Sequence, residues 1–298
     1  MDGMAVAYRA FYAVRDLSAR DGTPTNALFG FVRMLRQLEA RWHPDRLVVA
    51  FDGGSPARRL DKCPAYKAQR APMPDDLRAQ LPLINEFLET AGIPMIRIDR
   101  QEADDVLATL AVRAAAAGAT VRLATSDKDL MQLVSDRIRL VPPTKTDTEL
   151  DPAGVEAKTG VRPDQIVDWL ALIGDTADNI PGVMGIGPKT ATRLLVQFGS
   201  LDNCLSEAGR IESESLRGKL LAGAGTARLN VELMALDCAV PGVPEWREIP
   251  PPAPDPERLK AFFEKYELHR FASETESAAP AASPPPPPPP AAAQLELF

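Results

Sequence analysis

Nine acidic side chains are spaced so that folding could gather them at one point. Asp52 ends an apolar run at 47–51, and Asp127 and Asp129 follow another apolar run at 121–125. Acids at the ends of successive strands, in a chain with two histidines, indicate a site for hard divalent cations, which prefer oxygen ligands. Magnesium and manganese ions that act on phosphates are held in such sites. The predicted metal ligands are Asp2, Asp52, Glu102, Asp104, Asp105, Asp127, Asp129, Asp175 and Asp178.

Two pairs among these acids share one spacing. Glu102 and Asp105 are three residues apart at the start of a predicted helix, and Asp175 and Asp178 have the same separation. Residues at this spacing are neighbours on a helix surface, and like charges placed there repel unless cations neutralise them. Acids at a helix start can also be capping residues, so capping stays open as an alternative for the group QEADD.

A glycine-rich turn, GVMGIGPKTATRLL at 182–195, is the second feature that could do chemistry. Gly185 and Gly187 precede Pro188, Lys189 and a helical pattern. The turn predicts a hairpin between helices whose backbone N–H groups face a phosphate, next to the positive end of the following helix. Lys189 can add a phosphate contact that reads no base sequence. Most glycine-rich turns are only turns, but the preceding GDTADNIPG makes this one specific.

A basic segment, RRLDKCPAYKAQR at 58–70, follows the acid at Asp52 and carries five cations against one acid. Tyr66 lies among these cations and could stack on a base. Substrate phosphates would need such a patch to approach an acidic site. A charge run is more often a solvated surface, and that alternative stays open.

Composition excludes several classes of protein. The net charge of −7 argues against a surface coated in positive charge, so local basic patches must decide nucleic-acid binding. The three cysteines form no CxxC pair and predict reduced thiols in a cytosolic protein. Two histidines argue against a histidine-rich zinc site or a serine–histidine triad. The sequence shows no apolar stretch of the ~20 residues that a membrane span needs and no secretion signal at its start.

The elements that must position these residues alternate along the first half of the chain. Such alternation predicts an α/β fold with a mainly parallel sheet flanked by helices. Ligands of these sheets gather outside the carboxyl ends of the strands, where Asp52 and Asp127 fall. The predicted helices are 24–41, 76–91, 103–117 and 128–134, and the predicted strands are 46–51, 93–98, 120–125 and 137–142.

The pattern changes from about residue 151 onward. Short helices with tight turns predict a helical subdomain over 163–237. Six prolines within 241–254 predict an extended segment, and a helix at 255–267 is expected to dock back on the body. After Ala272 the chain becomes rich in proline and alanine and is expected to be disordered.

These features together resemble the 5′-nuclease domain of bacterial DNA polymerase I and its stand-alone flap endonuclease relatives. The similar stretches are DGMAVAYRAFYA, VVAFDGGSPARR, YKAQRAPMPDDL, EADDVLATLA, TSDKDLMQLV and GDTADNIPGVMGIGPKTA, so the resemblance runs from residue 2 to about 270. It implies metal-dependent hydrolysis of DNA phosphodiesters near a 5′ end or flap. The implied organisation is a PIN-like catalytic domain at 1–160 with a helical arch at about 55–80, a helix–hairpin–helix subdomain at 161–240, a return segment at 241–271 and a tail at 272–298.

The resemblance also implies roles for individual residues. Two or more Mg²⁺ or Mn²⁺ ions are expected, with Asp2, Asp52, Glu102, Asp104 and Asp105 in a first group and Asp127, Asp129, Asp175 and Asp178 in a second. The arch residues implied to face the scissile phosphate are Arg59, Lys67 and Arg70. The expected DNA contacts are Arg9, Arg58, Tyr66, Gly185, Gly187 and Lys189, with a K⁺ ion at the hairpin.

Two departures from the family pattern stand out. Relatives have an apolar strand before the DG pair, whereas this sequence begins Met1-Asp2. Either the strand is missing or the start was placed too late, as when a GTG codon inside a longer gene is read as Met1. A missing strand predicts a poorly anchored Asp2 and a sheet that lacks a central piece. The sequence also carries no polymerase region after the nuclease motifs, so a nuclease that acts on its own is expected.

The C-terminal residues Gln294-Leu295-Glu296-Leu297-Phe298 resemble the short peptides by which bacterial proteins bind the sliding clamp. An apolar terminus after a proline-rich segment is hard to explain by packing. We therefore expect Gln294, Leu295, Leu297 and Phe298 to bind the clamp, with a frayed or self-docked end as the alternative. Such a tether would raise the concentration of the nuclease at DNA junctions.

The sequence thus predicts a structure-specific 5′ nuclease that is monomeric and cytoplasmic, at the nucleoid, and that removes primers or flaps. Two alternatives stay open: a non-catalytic junction-binding scaffold that is recruited to the clamp, and a ribonuclease of the related toxin type.

Overall fold

Two pairs of parallel strands form the centre of the N-terminal half in a computed structural model that describes residues 1–278. Strand β1 pairs with β2, and β3 pairs with β4, each in the parallel direction. The predicted alternation of strands and helices is therefore observed, with every predicted strand present in shortened form. The strands are β1 (Val49–Phe51), β2 (Met95–Arg97), β3 (Val121–Ala124), β4 (Ile138–Val141), β5 (Gly174–Asp175) and β6 (Ile180–Pro181).

Helices surround these strands and make up most of the second half. Four predicted helices agree with the structure to within two residues at each end, because their apolar spacing reports the buried face. The helices of the first half are α1 (Gly3–Ala13), α2 (Asn26–Trp42), α3 (Ala57–Lys62), α4 (Asp75–Thr90) and α5 (Ala103–Ala116). Those that follow are α6 (Pro152–Thr159), α7 (Ile166–Ile173), α8 (Pro188–Phe198), α9 (Leu201–Ser206), α10 (Glu214–Ala222), α11 (Ala224–Met234), α12 (Pro256–Lys265) and α13 (His269–Ala278). Short 3₁₀ turns lie at Asp129–Leu133, Pro163–Gln165, Ala208–Arg210 and Trp246–Glu248.

Met1 and Asp2 lie between the two strand pairs and connect them. The amide of Ala50 donates to the carbonyl of Met1 at 2.9 Å, and the amide of Asp2 donates to the carbonyl of Ala124 at 3.4 Å. Asp2 is 8% exposed and its side chain caps α1 by accepting from the amide of Ala5 at 2.9 Å. The prediction of a poorly anchored Asp2 is therefore wrong.

A cavity of about 500 Å³ lies beside Met1. Its lining includes Leu38, Trp42, Val48 and Leu123. The amino group of Met1 lies at this cavity and donates to the carbonyl of Val48 at 2.8 Å. Burial lowers the pKa of this amine to about 6.

The helical second half shares a hydrophobic core with the first. Leu107 of α5, Leu170 of α7 and Leu194 of α8 belong to one continuous cluster of buried side chains. Strands β5 and β6 form a small antiparallel pair within this region, where the sequence pattern predicts short helices with tight turns. Asp175 is the last residue of β5, and Asp178 lies in the turn between β5 and β6.

The return segment packs on the first half through aromatic rings. Asp255 begins α12 by accepting from the amides of Glu257 and Arg258. Phe262 and Phe263 of α12 pack against Phe87 of α4 at ring-centroid distances of 6.0 Å. Helix α13 runs to Ala278, six residues past the point at which the sequence predicted disorder. The proposed clamp peptide at 294–298 lies outside the described residues.

Candidate metal centre and nucleic-acid interface

Asp2, Asp52 and Asp127 occupy the carboxyl edge of the strands. Asp2 forms a parallel bridge with Ala50 of β1, Asp52 follows β1, and Asp127 lies three residues after β3. The carboxylate of Asp52 accepts from the amide of Ala103 at 2.9 Å, which holds the start of α5 against this edge. Burial raises the pKa of Asp2 to about 6, and the nearby charges of Asp52 and Asp127 contribute to the shift. The structure therefore brings these acids together, as the sequence predicted.

Asp104, in the first turn of α5, also lies at this edge. Within residues 1–278 its buried Oδ1 has no hydrogen-bond partner. Burial and the charges of Asp2 and Asp127 raise the pKa of Asp104 well above its usual value. A buried carboxylate oxygen without a donor is costly, and a cation would supply the missing partner.

A second acid cluster is formed by Asp129, Asp175 and Asp178, each offering an oxygen within 4.8 Å of the others. Among the described residues, the buried Oδ1 of Asp129 also has no hydrogen-bond partner. Burial and the charges of Asp127 and Asp175 raise the pKa of Asp129 to about 8. Three crowded carboxylates with an unpaired oxygen fit a hard divalent cation.

Glu102 and Asp105 differ from these acids because protein cations already hold them. Asp105 is 1% exposed and accepts from Nη2 of Arg59 at 3.0 Å and from the amide of Asp237 at 2.9 Å. Glu102 is bound by Arg59 and Lys67. Both oxygens of Asp105 thus accept hydrogen bonds inside the protein, and its role as a metal ligand remains a prediction.

Arg59 was predicted to face a scissile phosphate, but it is 4% exposed and points into the protein. Its Nε donates to the carbonyl of Leu233 at 2.9 Å, and its remaining donors bind the carboxylates of Glu102 and Asp105. The charges of these acids outweigh the opposing effect of burial and raise the pKa of Arg59. That prediction is wrong, because the partners that bury the guanidinium are distant in sequence.

Tyr66 was predicted to stack on a base, and the structure contradicts this prediction too. The residue is 5% exposed, and its hydroxyl donates to Asp178 at 2.8 Å and lies 3.2 Å from Oε1 of Glu102. Burial, together with the charges of both acids, raises the pKa of the phenol. Tyr66 therefore links the acid of α5 to the second cluster.

Lys67 and Arg70 lie directly over the acids. Nζ of Lys67 binds Glu102 and lies 3.7 Å from Asp178, while Nη2 of Arg70 donates to Asp178 at 2.7 Å. Burial works against the charge on Lys67, but Glu102 and Asp178 outweigh it and raise the pKa of the amine. Helix α3 and the turns up to Arg70 make up the first part of the predicted arch, with α4 beginning at Asp75.

The glycine-rich turn leads from β6 into α8. Gly185 has φ of 76°, a conformation that favours glycine, and Gly187 is the residue before the first turn of α8. Gly185, Gly187 and Lys189 are all exposed, and so is Arg9. Arg58, by contrast, donates to the carbonyls of Ala235 and Glu232. The exposed residues are available to a ligand.

Two cations near the site escaped the sequence analysis. Nζ of Lys128 lies 3.3 Å from Asp175. The position of Lys128 between Asp127 and Asp129 in the motif TSDKDL could have indicated a cation at the site. Lys219 lies beside the glycine turn, since a Cβ at Gly185 would be 3.1 Å from its side chain. No local pattern links Lys219 to a turn more than 30 residues earlier, so nothing in the sequence indicates this contact.

Sequence-family models match most of the chain. Residues 1–160 match the 5′-3′ exonuclease N-terminal resolvase-like domain, and residues 161–257 match the 5′-3′ exonuclease C-terminal SAM fold. The boundary between the two matches falls after α6, where the predicted helical subdomain begins. Among residues 1–278, no helix has the length and apolar character to cross a membrane.

Curated relatives give the same result. A 5′-3′ exonuclease of Aquifex aeolicus is 42% identical over 219 residues, which cover 74% of this chain and 75% of the relative. The thermostable DNA polymerase I of Thermus thermophilus is 40% identical over 278 residues, which cover 91% of this chain. The chain spans 32% of the length of that polymerase.

Solved structures share the fold. A bacteriophage T5 flap endonuclease, in a pseudo-enzyme–product complex with DNA and metal ions, has a TM-score of 0.66 at 20% identity and covers 93% of this chain and 96% of its own. The catalytic core of Rad2 with a DNA substrate has a TM-score of 0.61 at 18% identity, covering 90% of this chain and 88% of its own. The predicted fold class is thereby confirmed.

Proposed function

Since the chain belongs to the 5′-3′ exonuclease family, we propose that it is a structure-specific 5′ nuclease that hydrolyses DNA phosphodiesters with Mg²⁺ or Mn²⁺. The observation that carries this proposal is the cluster of Asp129, Asp175 and Asp178 next to unpaired buried carboxylate oxygens. The proposed ligands of the first metal group are Asp2, Asp52, Glu102 and Asp104, and Asp127 belongs to the second group with Asp129, Asp175 and Asp178. When bound there, divalent ions activate the attacking water, hold the scissile phosphate and stabilise the leaving oxygen.

Lys67 and Arg70 are the proposed catalytic cations. Both lie over the acids and pair with Asp178 or Glu102. A phosphodiester that enters between these cations and the acids would draw the cations to its non-bridging oxygens. The cations then offset charge that develops on the phosphate as the bond to the leaving oxygen breaks.

The hairpin is the proposed binding site for duplex DNA. Exposed backbone at Gly185 and Gly187 precedes the N-terminus of α8, where N–H groups and the helix dipole favour a phosphate. Lys189 and Lys219 add positive charge on either side of the turn. Contacts of this kind read the backbone, so binding should be independent of sequence and sensitive to salt. A K⁺ ion at the turn and a monomeric state remain part of the proposal.

A labelled 5′-flap duplex with Mg²⁺ tests the activity, beside the variant Asp127→Asn. We expect cleavage near the base of the flap by the parent protein and a loss of cleavage in the variant. Tight binding without cleavage by the parent would instead support the scaffold, an alternative that the family relationship does not favour. Cleavage confined to single-stranded RNA would support a ribonuclease.

A further part of the proposal concerns location: the nuclease works in the cytoplasm at the nucleoid and is tethered to the sliding clamp by Gln294, Leu295, Leu297 and Phe298. The alternation of leucine, acid, leucine and phenylalanine after a proline-rich stretch supports it. Calorimetric titration of a tail peptide into the clamp, beside a chain that lacks the last five residues, tests it. Absence of peptide binding, or equal clamp binding by the shortened chain, would reject the tether.

A further inference from the structure

Arg59 is a buried cation that connects three parts of the molecule. It extends from α3, and its Nη2 donates to Asp105 of α5 at 3.0 Å while its Nη1 serves both Asp105 and Glu102. Its Nε donates at 2.9 Å to the carbonyl of Leu233, near the end of α11. A planar guanidinium can make these bonds at fixed angles, whereas a lysine amine cannot.

Asp105 continues the connection on the other side. Its Oδ1 accepts from the amide of Asp237 at 2.9 Å. One turn further along α5, the hydroxyl of Thr109 donates to the carbonyl of Asp237 and accepts from the amide of Val240. The segment that follows α11 is therefore hydrogen-bonded to α5 at Asp237 and Val240. Each of these hydrogen bonds is buried or partly buried.

The body and start of α11 contact the hairpin. The buried amide of Asn230 donates to the carbonyl of Pro181 in β6 at 2.8 Å and to that of Ala171 at 2.9 Å. Gly223, just before α11, lies so close to Val183 that a Cβ would be 2.4 Å from its side chain. The hairpin region is thus contacted by Asn230 of α11 and by Gly223 just before this helix, while the segment that leaves α11 contacts Asp105.

We propose that Arg59 is a positioning residue, which acts through Glu102 and Asp105 to hold the acid cluster at a fixed distance from the hairpin by way of α11. The inference rests on the proposed nuclease function. It assigns Asp105 to this anchor rather than to a metal ion. Residues that orient metal ligands from outside the ligand set commonly change activity or metal affinity by about 10- to 100-fold when replaced.

The test compares Arg59→Met, Asp105→Asn and the double variant with Arg162→Met as a matched control. Arg162 pairs with the exposed Asp164, away from the acids. In single-turnover cleavage of a 5′-flap duplex, we expect Arg59→Met to lower the rate by about 10- to 100-fold and to leave the duplex Kd in Ca²⁺ unchanged. The double variant should be no slower than the slower single variant, because both changes break one unit.

The double variant also guards against misfolding, since removing both charges leaves no buried charge unpaired. Two further readouts do not depend on cleavage. In the metal-free protein, amide hydrogen exchange at 236–240 should speed up in Arg59→Met and stay unchanged in Arg162→Met. The Mn²⁺ affinity, measured by electron paramagnetic resonance, should fall less in Asp105→Asn than in Asp129→Asn.

Several results would overturn the inference. Additive rate losses in the double variant would show that Arg59 and Asp105 act separately. A loss of Mn²⁺ affinity in Asp105→Asn equal to that in Asp129→Asn would make Asp105 a ligand. A weaker duplex Kd with an unchanged rate in Arg59→Met would make Arg59 a DNA contact. If the parent protein cleaves no flap but Arg59→Met still speeds exchange at 236–240, the proposed function fails while the anchor stands.

Discussion

Asp105 and Asp178 each end a pair of acids that are three residues apart, yet the structure surrounds them differently. Asp105 is enclosed by Arg59 and the amide of Asp237. Asp178 lies with Asp129 and Asp175, and its cationic partners Lys67 and Arg70 come from a partly exposed segment. The first arrangement is fixed within the protein, and the second can exchange protein cations for metal ions and substrate. The spacing of acids alone therefore does not identify a metal ligand.

The largest effect should come from the second cluster. Asp175→Asn removes a charge that is proposed to help bind the cation. We expect the single-turnover cleavage rate to fall by more than about 1,000-fold, which is a larger loss than the removal of one positioned hydrogen-bond donor causes. Rapid-quench kinetics at saturating Mg²⁺ measure this. Asp105→Asn serves as the comparison, and an equal loss in both variants would contradict the distinction between the two groups.

Loss of the cation above the second cluster should have the next largest effect. In Lys67→Met a long side chain is kept while the amine is removed, so charge on the phosphate is no longer offset. We expect a rate decrease of about 100-fold with an unchanged midpoint of thermal unfolding, since the amine is partly exposed. Arg78→Met, which alters a cation in a surface pair on α4, is the control. A rate within twofold of the parent would exclude a catalytic role for Lys67.

The stability of the metal-free protein should depend on pH through the acids at the site whose pKa is raised by burial. The pKa of Asp2 is raised to about 6 and that of Asp129 to about 8, whereas an unfolded Asp titrates near 3.9. A raised pKa in the folded state contributes stability below the unfolded value, and that stability is lost as pH rises through the folded value. We expect the apo midpoint of unfolding to fall between about pH 4 and pH 8.

Saturating Mg²⁺ should reduce this fall, because bound cations stabilise the ionised carboxylates. Differential scanning calorimetry with EDTA or with Mg²⁺ across this range gives the comparison. A metal-free protein that becomes more stable as pH rises from 6 to 8 would contradict the raised pKa values of Asp2 and Asp129.

The smallest effect should be at the hairpin. Lys189→Ala removes one exposed charge, and we expect weaker binding to any duplex sequence with a salt slope reduced by about 1. Fluorescence anisotropy at several salt concentrations, in Ca²⁺ to prevent cleavage, measures the slope. Sequence-dependent losses, or an unchanged slope, would remove Lys189 from the phosphate contacts.

Much of the fold was predictable because burial leaves a periodic pattern. Helix α5 spans Ala103–Ala116 against a prediction of 103–117, and the acids after β1 and β3 lie at the expected edge. No helix is predicted over α1, because the short segment after Asp2 is used only as a family motif. Asp2 is anchored by its amide, which donates to the carbonyl of Ala124, and by the preceding Met1, whose carbonyl accepts from the amide of Ala50. No pattern near residue 2 could indicate these bonds.

The errors at the site have one physical cause. Arg59 and Tyr66 lie in a run of cations that resembles an exposed face, but their partners are far away in sequence. Arg59 meets Asp105 across 46 residues and Leu233 across 174, and Tyr66 meets Asp178 across 112. The burial of a charged or aromatic side chain depends on these tertiary partners, which the residue types near it in the sequence do not indicate.

The most direct test of the central claim is the anomalous diffraction of a crystal of the full chain soaked with Mn²⁺. The account predicts anomalous peaks beside the oxygens of Asp129, Asp175 and Asp178 and beside Asp104, with Arg59 still bound to Asp105. Manganese coordinated by Asp105 with the guanidinium of Arg59 displaced, or no ion at the Asp129 cluster, would contradict it.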